Sequence, residues 1–157
     1  MEFKMITRAT NDFEDICIQC EDGIVQENLR KNGGTLNLCN LTYGSDFLIL
    51  CLEDNVPIGF CSLVLLDTVG LYVYQIAVKK EYQKKGIGSN LIKVTKELAF
   101  NLGINISAHV KAYNTNSQKM FLRSDFIKND DYSNTDEYFY EYKVLIKNNV
   151  EEEKGLK

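Results

Sequence analysis

The segment Ile76-Ala77-Val78-Lys79-Lys80-Glu81-Tyr82-Gln83-Lys84-Lys85-Gly86-Ile87-Gly88-Ser89 carries an apolar strand into a helix through a glycine-containing turn. Upstream, Leu71 to Val78 is a mainly apolar run. Downstream the period changes: Leu91, Thr95, Leu98 and Leu102 recur at helical spacing over residues 88–102, with Lys93, Lys96 and Glu97 among the exposed positions and Gly103 as the stop. Such a turn leaves successive backbone N–H groups without intrahelical acceptors, and the helix dipole adds to their pull on an anion. Each amide-to-anion bond is worth roughly 1.5–3 kcal/mol. Gly86 and Gly88 lack the Cβ that would hold a pyrophosphate away from the backbone.

Charge points the same way. Residues 79–96 hold Lys79, Lys80, Lys84, Lys85, Lys93 and Lys96 against Glu81, a net +5 inside a chain of net charge −4. The rest of the chain therefore carries −9. The ligand of this turn should be polyanionic. Two common phosphate motifs fail, because Leu91 stands where GxGxxG needs its third glycine and no GxxxxGK[ST] is present.

Outward from this segment, Phe47 to Leu52 and Ile58 to Leu66 join Leu71 to Val78 as apolar runs, separated by Glu53-Asp54-Asn55 and by Asp67 to Gly70. They predict strands joined by short turns, and their apolarity on both faces predicts a sheet covered on both sides. Phe3 to Arg8 alternates weakly, as an edge strand. Residues 12–30, opened by Asn11 or Asp12 and carrying Phe13, Ile16, Cys17, Cys20, Ile24 and Leu29, predict one or two helices ending before Gly33-Gly34. Ile104 to Lys111 is a strand, Asn114 caps a helix of about ten residues, Phe126 opens a strand, and Tyr138 to Ile146 forms the last one after the polar loop Asp130 to Asp136. The order β, α, β-β-β, α, β, α, β-β gives a mixed sheet with helices on its faces, an α/β (α+β) fold.

The 157 residues suit one domain, placed at 1–147, with the acidic 148–157 segment as a solvated tail. A composition of 45% apolar and 25% charged residues with one Pro is that of a globular chain. No apolar stretch is long enough for a membrane span and the first residues resemble no leader, so the expected setting is cytoplasmic, with no membrane partner. The mild acidity argues against a nucleic-acid partner. Cys17, Cys20, Cys39, Cys51 and Cys61 are odd in number and are expected to be reduced. Cys17 and Cys20 have CxxC spacing but no second such pair, and the lone His109 is distant, so no metal is expected; the pair is two small apolar side chains on one helix face.

Gln83-Lys84-Lys85-Gly86-Ile87-Gly88 fits [R/Q]-x-x-G-x-[G/A], and the strand ending Ile76-Ala77-Val78 precedes it. This resembles the acetyl-coenzyme A signature of the GCN5-related N-acetyltransferase (GNAT) family. A second stretch, Asn114-Thr115-Asn116-Ser117-Gln118-Lys119-Met120-Phe121-Leu122-Arg123-Ser124-Asp125-Phe126, is similar to the family's other signature at Asn114, Ser117, Phe121 and Phe126, while Asp125 replaces the usual Gly. The resemblance implies a mixed, mostly antiparallel sheet of six to seven strands flanked by about four helices. It implies acetyl-CoA as co-substrate, with the backbone of Ala77 and Val78 on the pantetheine arm, the amides of Gln83 to Ser89 on the pyrophosphate, Lys84 and Lys85 near the phosphates, and Asn114 and Phe121 near the thioester. It also leaves room for a homodimer. From the residues alone, Lys84 and Lys85 read equally as a solvated pair, and Ala77 and Val78 as buried strand.

Family members move an acetyl group to an amine by direct attack, so the amine must be neutral when it reacts. A lysine-like amine is uncharged in only about one molecule in 2,500 at pH 7. A general base is therefore useful. His109, five residues before Asn114, stands where similar family members place a catalytic glutamate; the competing reading is a strand histidine with a structural or surface role. Phe121 replaces a tyrosine that commonly protonates the departing thiolate, so Tyr113, Tyr74 or one of Tyr138, Tyr140 and Tyr142 would have to substitute. Without a substitute the alternative is a CoA-binding sensor or scaffold with little catalysis. The acceptor is expected to be a small-molecule or peptide amine such as a polyamine, an aminoglycoside, or a lysine or N-terminal amine. Acids at Glu14, Asp15, Glu21, Asp22, Asp130, Asp131, Asp136 and Glu137 favour a cationic one, although solvated surface acids explain them equally well.

Overall fold

A computed structural model describes residues 1–31, 40–67 and 70–144. The strands are β1 Glu2–Thr7, β2 Phe47–Glu53, β3 Val56–Leu66, β4 Gly70–Val78, β5 Ile106–Lys111, β6 Ile127–Asn129 and β7 Glu137–Tyr142. The helices are α1 Phe13–Cys20, which continues through a π-helical Glu21–Gln26 into α2 Glu27–Lys31, then α3 Leu41–Gly44, α4 Ile87–Leu102 and α5 Thr115–Arg123. The seven strands form one mixed sheet in the order β1-β2-β3-β4-β5-β7-β6. Pairs β1/β2, β2/β3, β5/β7 and β6/β7 are antiparallel, and β4/β5 is parallel, with Leu71, Tyr72 and Val73 opposite Ile106, Ser107 and Ala108. Among the described residues no helix is long and apolar enough to cross a membrane.

Contacts divide the chain into two compact units, residues 1–64 with 74–95, and residues 65–73 with 96–157. In the first, Phe13, Cys17, Cys20, Ile24 and Leu41 pack with Ile6, Leu48, Leu50 and Phe60. Burying one such large side chain contributes roughly 1.5–3 kcal/mol. Consecutive buried residues along β2 and β3 show both faces covered, as their sequence implied. Asp54 (φ 50°) and Asn55 (φ 65°) close the β2–β3 hairpin as two left-handed residues, the backbone that matches the strands' twist and that Asp and Asn tolerate.

In the second unit, Phe121 on α5 lies edge-on to Phe126 at 5.0 Å and stacks on Tyr140 of β7 at 6.0 Å. Gly70 starts β4 at φ 92°, where a Cβ would come within 3.0 Å of the Asn105 backbone, so no larger residue passes there.

Local expectations shift in four places. Asp12 stands at the N-cap of α1, but with φ 65° and no side-chain cap bond. α3 has no apolar period long enough to show in the sequence; Asn40 Oδ1 caps it by accepting from Tyr43 N–H. On α4 the buried stripe is Leu91, Ile92, Thr95 and Ala99, while Leu102 is exposed. The last strand ends at Tyr142. Cys39, Gly33-Gly34 and the 148–157 tail lie outside the described residues.

Candidate active site

Beyond Val78 the chain passes Lys79, a single 3-10 turn at Lys80–Tyr82, and Gln83 to Gly86 before α4 begins. Side chains and backbone hold this exit on several sides. Lys79 N–H donates to Ile58 O of β3 at 2.8 Å. Gln83 Nε2 donates to Val78 O at 2.9 Å. Asn28 Nδ2 donates to the same carbonyl at 2.8 Å, and Asn28 Oδ1 accepts from Lys80 N–H at 3.0 Å. The Lys31 ammonium, 2.8 Å from Glu81, holds that carboxyl below its usual range.

Inside the turn Lys84 (φ 62°) and Gly86 (φ 81°) are both left-handed. Left-handed residues curl successive N–H groups into a concavity suited to an anion. Asn90 N–H donates to Gly86 O at 3.0 Å, the first helical bond, so the amides of the preceding turn have no acceptor in α4. A Cβ at Gly86 would meet no protein atom within 4 Å, so the space above the turn is open to a ligand. Gln83, Lys84, Lys85 and Gly86 are exposed, and Gly88 and Ser89 partly so. Ile87 is instead buried, and a Cβ on Gly59 of β3 would stand 3.2 Å from its Cγ2 and 3.4 Å from Ala77 O. Ile76, Ala77 and Val78 are half-buried, whereas the start of β4 is buried. Of the lysines counted toward this turn, Lys85 lies 5.5 Å over the Tyr82 ring. Lys96 is committed elsewhere, donating to Ser124 O, pairing with Asp125 at 3.6 Å and lying over the Tyr142 ring.

In the unit formed by residues 65–73 and 96–144, His109 is the exposed residue between buried Ala108 and Val110 on β5. Its Nδ1 lies 2.9 Å from the Tyr72 hydroxyl, a hydrogen bond in which either group can donate. Its ring lies 5.0 Å from that of Phe139, directly opposite on β7. Burial, with the Glu137 charge second, pushes the Tyr72 phenol upward, and a backbone hydrogen bond from His109 opposes them. Tyr72 thus remains a phenol at neutral pH. Sequence reasoning passed over Tyr72; only the parallel β4/β5 register, Tyr72 opposite Ser107, sets it on the face that carries His109.

With the imidazole in its Nδ1–H form, Nδ1 donates to the phenol oxygen and Nε2 keeps a free lone pair, the state a general base requires. Protonation at Nε2 then leaves both ring nitrogens as donors, and the Tyr72 oxygen still accepts from Nδ1.

Asn114 caps α5, its Oδ1 accepting from Ser117 N–H at 3.2 Å. Phe121 is buried in the aromatic core and offers no proton. Asp125 takes φ 69°, the left-handed conformation that accounts for a glycine preference at this position. Among the tyrosines suggested to replace the missing acid, Tyr140 is buried against Phe121 and its phenol is pushed up by desolvation. Tyr138 lies under Lys128 Nζ at 3.9 Å, and Tyr113 is exposed. Three of the acids are engaged in the fold: Glu21 accepts from Leu41 N–H, Glu137 pairs with Lys111 at 3.4 Å, and Asp130 with Lys128 at 3.5 Å. Cys17, Cys20, Cys51 and Cys61 are free and buried, and burial pushes the Cys17 thiol up to about 11. Among the described residues no three His, Cys, Asp or Glu side chains are grouped to hold a metal.

The family model described as Acetyltransferase (GNAT) family matches residues 12–126. The chain belongs to this family. GCN5-related N-acetyltransferase 7, chloroplastic, of Arabidopsis thaliana is 25% identical over 124 residues, which are 77% of this chain and 41% of that protein. The chain thus spans about two fifths of the length of this plant relative. A GNAT-family acetyltransferase of Staphylococcus aureus is similar in structure, with TM-score 0.68 at 14% identity over 91% of this chain and 99% of that one. A GNAT-family acetyltransferase of Elizabethkingia anophelis, solved with acetyl-CoA bound, gives TM-score 0.61 at 18% identity over 89% and 95% of the two chains. At these identities the likeness carries the fold, and the mixed seven-stranded sheet with flanking helices is that of the family.

Proposed function

We propose that this GNAT protein is an N-acetyltransferase that takes its acetyl group from acetyl-CoA and passes it to a primary amine. The turn carries the reading: two left-handed residues, Lys84 and Gly86, at the start of a 16-residue helix, with open space above Gly86. In this reading the amides of Gln83 to Ser89 bind the pyrophosphate, Lys84 and Lys85 lie near it, and the half-exposed Ile76, Ala77 and Val78 receive the pantetheine arm. Asn114, exposed at the cap of α5, belongs to the thioester end, whereas Phe121, expected beside it, is packed as core and stands behind it. Acetyl-CoA supplies an activated acyl carbon. The acceptor nitrogen forms the new C–N bond as the C–S bond breaks, and His109 Nε2 takes the proton the amine sheds, with Tyr72 holding the ring. In this reading residues 1–147 are the catalytic domain. The free cysteines fit a reducing, cytoplasmic setting.

One observation favours a second reading. Phe121 has no hydroxyl and is packed as core, so the usual proton donor to the thiolate is missing and a CoA-binding sensor would need none. A thiol-release assay with acetyl-CoA across polyamines, aminoglycosides and peptides bearing N-terminal or lysine amines separates the two. Turnover with any of these amines supports the enzyme. Calorimetric binding of CoA with no turnover across the panel supports the sensor, and no binding at all defeats both.

A further inference from the structure

The cofactor reading leaves Asn28 without a part, yet this side chain has an unusual placement. Along an extended strand, successive backbone groups point to alternate sides. At the end of β4 one side is taken by β3, through Lys79 N–H donating to Ile58 O at 2.8 Å. On the other side one carboxamide bridges Val78 O and Lys80 N–H: Asn28 Nδ2 donates to the carbonyl at 2.8 Å, which also accepts from Gln83 Nε2, and Asn28 Oδ1 accepts from the amide at 3.0 Å. Asn28 therefore does the work of a neighbouring strand for one residue pair. Only a side chain with a donor and an acceptor on one carbon can do this. Three residues on, across the same helix face, Lys31 pairs with Glu81 at 2.8 Å, so α2 meets the chain just before the turn at two points.

We infer that Asn28 is a positioning residue for the cofactor turn, fixing residues 78–80 so that the amides of 84–89, beyond the Gln83 N–H that donates to Lys80 O, are already aimed before ligand arrives. The inference rests on the cofactor reading above. A preorganised turn binds its anion without first losing the freedom of the loop. Asn28 touches neither cofactor nor acceptor in this scheme and takes no part in proton transfer.

Two variants test it. Asn28→Ala removes both bonds, whereas Asn28→Asp keeps an acceptor for Lys80 N–H and gives up the donor to Val78 O. Calorimetry with CoA should show binding weakened about tenfold in the alanine variant, as the loss of one to two net hydrogen bonds implies, and less in the aspartate variant. KM for acetyl-CoA should rise with it while kcat and its pH profile stay put. Amide hydrogen exchange should speed up through residues 79–89 in Asn28→Ala, with Lys80 still slow in Asn28→Asp. Unchanged CoA affinity despite fast exchange at Lys80 overturns the inference. So does exchange that rises equally through β1, β2 and β3, since that reports general loosening. Wild-type protein that binds no CoA defeats the underlying reading instead, and the Lys80 amide, read in the same samples, keeps the two failures apart. If the alanine variant does not fold, the aspartate variant decides alone.

Discussion

The turn after β4 works through its main chain, whereas β5 works through side chains. Around the turn, Asn28 and Gln83 spend their polar atoms on Val78 O and Lys80 N–H, and Ile87 buries itself against β3, all to fix the path of a backbone whose amides face outward. On β5 the backbone is an ordinary ladder to β7, and the distinctive element is the imidazole of His109 held by the Tyr72 phenol. Any residue but proline supplies an amide N–H, but few can take the φ that aims it. Conversely, nearly any residue can occupy an exposed strand position, but few can take a proton. Substitutions should therefore separate the two regions, with conformation ruling binding and side-chain identity ruling turnover.

The largest effect is expected at Gly86. Valine cannot hold φ 81° without strain, so Gly86→Val must rebuild the turn and lose about two amide-to-anion bonds, a weakening of CoA binding of roughly 10³-fold or more. Far-UV circular dichroism should show the fold intact, and calorimetry that still finds micromolar affinity would mean that the conformation of the turn does not rule binding. Next is His109→Ala, which should lower kcat by roughly 10²-fold or more while leaving CoA affinity unchanged. Wild-type activity that stays level from about pH 6 to 9 would sink its role as base.

The sequence was most transparent where burial is complete. β2 and β3 fall within two residues of their apolar runs, because strands covered on both faces carry few polar residues to blur the ends; β4 matches its run as well, although Tyr74 is exposed and Ile76 to Val78 are half-buried, so the double cover expected of it ends part-way. The helix at α4 was equally plain, although its phase was not: Ile92 and Ala99, not Leu98 and Leu102, complete the stripe, since small and branched residues fit against the sheet while Leu102 lies at the helix end. Glycine positions in the turn were legible because their constraint is local. Lys84 in a left-handed conformation was not, since no local rule asks it of lysine. Asn28 and Tyr72 were hidden for a further reason: each acts on a residue more than 35 positions away, through a docking or a register that no short window contains.

Tyr72→Phe tests how far the side-chain region depends on the hold on His109. The variant keeps the ring and loses the bond to Nδ1, so kcat should fall about tenfold, the value of one positioning hydrogen bond, with CoA affinity unaffected. Its phenol is raised by burial and by Glu137, so the native state retains that proton above the range of a free tyrosine. The stabilisation is complete below the unfolded value of about 10 and is lost as pH climbs through the raised native value. An ultraviolet titration of phenolate should accordingly lose one late-titrating component in Tyr72→Phe, while that of Tyr140 remains. A variant with wild-type kcat would leave His109 positioned by Phe139 alone.

Gly59→Ala should give the smallest effect and perturbs the backbone of the turn most gently. The new methyl would stand 3.2 Å from Ile87 Cγ2, closer than ordinary contact, but the opposing group is a side-chain end that can shift by a few tenths of an ångström. Overpacking of a rigid site costs roughly 1–3 kcal/mol, and here the cost should stay near its lower limit, about threefold to tenfold in CoA affinity. Because Gly59 lies on β3 and has no part in proton transfer, kcat should not move. If kcat falls instead while affinity holds, the backbone of the turn is not what governs binding, and the division between the two regions fails where it is most lightly loaded.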